Sequence, residues 1–198
     1  LAALRYRRLP YRFIIGQPGI PIPAGYPDWQ SLPVPKVGLL PTFYGAEVGG
    51  ELKAITDSTP ILAQLKSLSD ERSLYPTDPV IRFINYVLED YADEWLTRCM
   101  FHYRWMYAAD IDKAGAILPL LRDTGIPQAQ HEKLKQFVST RQIERLYVVG
   151  SNEVTKPVIE DSYHRVLTLM DAHLQEYPFV MGSRPGSSDF GVFGQLTC

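Results

Sequence analysis

The sequence predicts an α/β domain followed by an all-helical one, and three observations predict it. Residues 40–44 and 52–56 are short extended runs on either side of a turn carrying Gly45, Gly49 and Gly50. That pattern reads as a hairpin with a loop longer than two residues. The second run leads directly into Asp57-Ser58-Thr59-Pro60. An Asp or Ser N-cap, Pro in the first turn and then Ile61, Leu62 and Leu65 start a helix. Finally, no Gly or Pro interrupts the helical pattern from just after Pro79 to about residue 109.

Taken in order, residues 1–9 carry Leu1, Leu4 and Leu9 among Arg5, Arg7 and Arg8, the last turns of an amphipathic helix stopped before Pro10. The arginines read as a solvated face. Residues 11–15 are apolar and β-prone and predict a strand. Helix then strand ahead of a hairpin is the order of a βαβ unit that lacks its first strand. Residues 16–35 are dense in Pro and Gly and predict a long surface loop. Residues 67–79 are polar and turn-rich, and end in a helix start at Thr77-Asp78-Pro79. The spacing of Ile84, Leu88, Tyr91, Trp95, Cys99 and His102 predicts one long helix over 79–109, the spine of the second domain. Shorter helical stretches follow over 111–125, 128–149 and 157–177. Internal repeats are absent from the sequence.

The 198 residues are 45% hydrophobic and carry a net charge of −2. That is enough apolar material for a core, and it implies no nucleic-acid or anionic-membrane partner. No apolar run reaches transmembrane length. Cys99 and Cys198 do not make a disulfide framework, so a reducing, cytoplasmic setting is expected. The chain opens at Leu1 inside an apparent helix and stops at Cys198 inside another, so it reads as a piece of a longer protein.

Leu40-Pro41-Thr42-Phe43, the hairpin, and Asp57-Ser58 opening a helix resemble the glutathione-binding half of the glutathione transferase family. Two further stretches carry the resemblance. PFVMGSRPGSSDF, with Asp189 and Gly186 at its capping positions, is similar to the start of that family's buried core helix. LEDYADEWLTRCMFHYRW is similar to the long helix of a bacterial-type subgroup. The resemblance implies an incomplete thioredoxin-like domain over 1–67, a linker over 68–78 and an all-helical domain over 79–198 truncated at its end. It implies glutathione as co-substrate, a small electrophilic acceptor and a homodimer. Its residues carry over as follows. Pro41 would be cis, turning the Leu40 backbone towards the cysteinyl part of glutathione. The Ser58 hydroxyl and the helix N–H groups would bind the γ-glutamyl carboxylate, with Asp57 facing its ammonium. His102 and Tyr103 would belong to the acceptor wall. The thiol-activating residue of the family precedes Leu1, so the catalytic residue is unknown in this chain.

Other readings stand beside that one. A transferase fold can also serve as a non-catalytic binding or scaffold module. Glu89, Asp90, Asp93 and Glu94 form an acidic run that reads as a charged face with Arg98. A metal bundle would need Glu-x-x-His, which the sequence lacks. Cys99 reads as a buried, inert thiol. At Gly186 the family's Ser or Thr is missing, which weakens the cap of the helix that follows. Trp29 and Lys36 lie where relatives approach the glycine end of glutathione.

Overall fold

The computed structural model describes residues 1–14, 32–46, 51–69, 71–121 and 123–197. Trp29 and most of the expected loop over 16–35 lie outside these residues. The chain divides into two compact units, Leu1–Leu74 and Tyr75–Cys198.

In the first unit, helix α1 spans Ala2–Tyr6. Strands β1 (Thr42–Ala46) and β2 (Leu52–Thr56) pair antiparallel in a register running from Thr42 opposite Thr56 to Ala46 opposite Leu52. Helix α2, Ser58–Leu68, starts one residue after β2 and buries Ile61 and Leu65. Two expectations are corrected here. Residues 11–14 form no strand, because a strand needs a ladder and β1 pairs only with β2 among the described residues. Tyr11 instead accepts a hydrogen bond from Arg5 Nε at 3.0 Å, and Phe13 is exposed. Nor is Arg7 solvated: it is 4% exposed. Its guanidinium donates to the Leu65 and Ser69 carbonyls and reaches the Glu71 carbonyl at 3.4 Å. The last carbonyls of a helix have no partner within it and carry its negative dipole end, so a buried cation at that end satisfies both.

The second unit is helical. It runs through α3 (Pro79–Tyr91), a π-helical turn at Ala92–Leu96, α4 (Thr97–Met106) and α5 (Ala108–Leu120). Helix α6 (Gln128–Ile143), a 3-10 turn at Leu146–Val149, α7 (Lys156–Glu176) and α8 (Ser187–Leu196) follow. Asp78 caps α3, accepting from the Val80 and Ile81 N–H groups at 2.9 Å each. The single helix expected over 79–109 is interrupted twice. The π-helical turn divides it, and Tyr107 in an extended conformation ends α4. Helix α6 also stops at Ile143, short of the expected 149, where a 3-10 turn closes on Gly150 at φ 72°.

The buried line along this spine is Asn85, Glu89, Ala92, Leu96, Cys99, His102 and Trp105. Steps of three and four keep one face towards the core. The expected stripe of Ile84, Leu88, Tyr91 and Trp95 sits one position earlier. The two lines rejoin at Cys99 and His102. Helix α3 therefore turns Asn85 and Glu89 inward, and Val80, Phe83 (66% exposed), Ile84 and Val87 outward.

Helix α8 explains that inversion. It packs on α3 and on the π-helical turn, where Ala92, Leu96 and Val192 make a core with Tyr163, Val166 and Met170. Its N-cap is Gly186, which has no side chain to accept from the first turn. Asp189 supplies half of the cap, accepting from Gly186 N–H at 2.8 Å and Val180 N–H at 2.7 Å. Asn85 of α3 supplies the other half. Its Oδ1 accepts from Ser188 N–H at 3.2 Å and Ser188 Oγ at 2.9 Å, while its Nδ2 donates to Ser187 Oγ at 2.7 Å. A Cβ at position 186 would lie 2.2 Å from Asn85 Oδ1 and 2.6 Å from Met181 Cγ, so only glycine admits the amide.

Candidate functional site

The first candidate lies at one end of the hairpin. Thr42 stands opposite Thr56, so the register brings the residues before β1 and after β2 to the same end. These are Leu40 and Pro41 just ahead of β1, and Asp57 and Ser58 just after β2. The Leu40–Pro41 peptide bond is cis. Thr42 Oγ1 donates to the Leu39 carbonyl at 2.8 Å, and Leu40 is 73% exposed ahead of the ladder. Asp57 is the N-cap of α2, with φ 78° and ψ 138°, and its Oδ1 accepts from Thr59 N–H at 3.2 Å. A non-glycine residue at that φ costs about 1–3 kcal/mol and persists only where its surroundings hold it. Ser58, half-buried, opens the helix. The result is a positive helix end and a carboxylate side by side, which is chemistry suited to a zwitterionic amino-acid terminus. Lys36, in the same unit, is exposed.

The second candidate is a polar network inside the helical unit. His102 on α4 is 0% exposed. Its Nδ1 lies 2.8 Å from Ser151 Oγ, and its Nε2 lies 3.2 Å from Glu160 Oε1. The Tyr107 hydroxyl donates to the same Glu160 oxygen. Lys156 Nζ sits 4.8 Å from the centroid of the Tyr107 ring, a cation–π contact at the first turn of α7. Hydrogen bonding from Tyr107, then from His102, holds the Glu160 carboxyl below the usual carboxylate range, with burial opposing. The same bond to Glu160 raises the Tyr107 phenol. Tyr103, half-buried, packs against Tyr163 at 5.0 Å and Tyr107 at 6.0 Å. Burial, then the charge of Glu160, pushes its phenol up to about 12.

His102 is thus locked between two partners on its ring nitrogens, and Tyr103 stands in an aromatic cluster. Ser151 and Glu160 as the partners of His102, and Lys156 against the Tyr107 ring, are not legible in the sequence. They come from a turn and a helix about 50 residues further on, with no spacing rule linking them to His102.

The acidic run on the spine does not converge. Glu89 is buried, Asp90 and Glu94 are exposed, and Arg98 Nε donates to the Glu94 carbonyl at 3.0 Å. Among the described residues no group of three or more His, Cys, Asp or Glu side chains is placed to hold a metal ion. Cys99 is buried, with its thiol pKa raised by desolvation. Among the described residues no helix is long and apolar enough to cross a membrane. No protein-family model, curated protein or solved structure matches the chain.

Proposed function

We propose that this protein is a cytoplasmic glutathione transferase-like enzyme, built from a thioredoxin-like unit and an all-helical unit and acting on a small electrophile. Glutathione binds at the Leu40, Pro41, Asp57 and Ser58 end of the hairpin. What supports this reading is the backbone of Asp57. A left-handed aspartate directly ahead of a helix N-terminus is a costly local arrangement, and such costs concentrate at ligand sites. The γ-glutamyl carboxylate meets the N–H groups of α2 and the Ser58 hydroxyl, and its ammonium meets Asp57. The glutathione thiolate then forms the new C–S bond to the electrophile, which releases its leaving group or takes up a proton. The group that lowers the thiol pKa is not assigned to any residue of this chain.

The proposed assembly is a homodimer. It is supported by the outward apolar stripe of α3, where Val80, Phe83, Ile84 and Val87 are exposed together on one helix face.

Calorimetric titration of the intact chain with reduced glutathione tests the site. Saturable binding is expected. Ser58→Ala should weaken it about tenfold, the ~1.4 kcal/mol of one charge-assisted hydrogen bond. A folded protein that takes up no glutathione overturns the proposal. Binding without conjugation of a model electrophile would identify a non-catalytic module of the same fold.

A further inference from the structure

We draw no further inference here: the strongest candidate, the open groove between α5 and α6 lined by Asp112, Glu132, Lys133, Lys135 and Ser139, presents side chains of both charge signs with none of them buried, and nothing in the structure selects an occupant.

Discussion

Asn85 and Gly186 make a matched pair in which one residue's missing side chain is the space the other's amide fills. Gly186→Ala sets a methyl group 2.2 Å from Asn85 Oδ1. Overpacking of this kind costs about 1–3 kcal/mol. Asn85→Ala leaves the buried Ser188 N–H without its acceptor, a loss of similar size. Chemical denaturation should show each single variant destabilised, and the double variant should lose less than the sum of the two. The network around His102 gives a second residue-scale test, read in pH. Glu160 is held below its ordinary value, so its contribution is complete above about pH 4.3 and is lost as pH falls through the lower folded value. Thermal melting of Glu160→Gln should therefore show a flatter acid limb. Tyr103 works in the opposite sense. Its folded value of about 12 lies above the ordinary value of about 10, so stability present below about pH 10 is lost on rising towards 12. Tyr103→Phe should flatten the alkaline limb.

Among the elements, α2 begins on two opposed effects. The Asp57 carboxylate accepts from Thr59 N–H, which stabilises the first turn, while its φ of 78° opposes any residue with a Cβ. Asp57→Ala removes the acceptor and keeps the strain, so a loss of about 1 kcal/mol is expected. Asp57→Gly removes both and should be nearly neutral for stability while weakening glutathione binding. Denaturant midpoints, read beside calorimetry, separate the two outcomes. Much of this element was legible in the sequence, because caps are local: Asp57 opens α2, and Asp78 with Pro79 opens α3. The facing of α3 was not legible. Hydrophobic periodicity puts Ile84 and Leu88 inward, but the α8 terminus needs a polar partner, so Asn85 takes the core position one residue on. Arg7 was misread for the same reason. Its partners are backbone carbonyls some 60 residues away, and no side-chain pattern announces them.

At the scale of the whole molecule, the order of a small mixed unit and then a helical one followed from composition and turn signals, since punctuation by Gly and Pro is also local. The hairpin end where Leu40, Pro41, Asp57 and Ser58 meet was readable too, because a two-strand register joins residues close in sequence. The His102 network was not, since it joins α4 to a turn and to α7. The outward stripe of α3 makes a prediction about assembly. Sedimentation of the intact chain should show a dimer, and Phe83→Glu should shift it to monomer with its helix content intact. A wild-type chain that sediments as a monomer at all concentrations would sink the dimer. The cap shared by α3 and α8 also bears on how the chain comes off the ribosome. Asn85 and Ser187 lie 102 residues apart. At about 5–20 residues per second of synthesis, Asn85 waits some 5–20 s for its partner. Throughout that interval α3 has a wet polar face on one side and an apolar stripe on the other. The spine of the helical unit is therefore most open to wrong partners before α8 has been made.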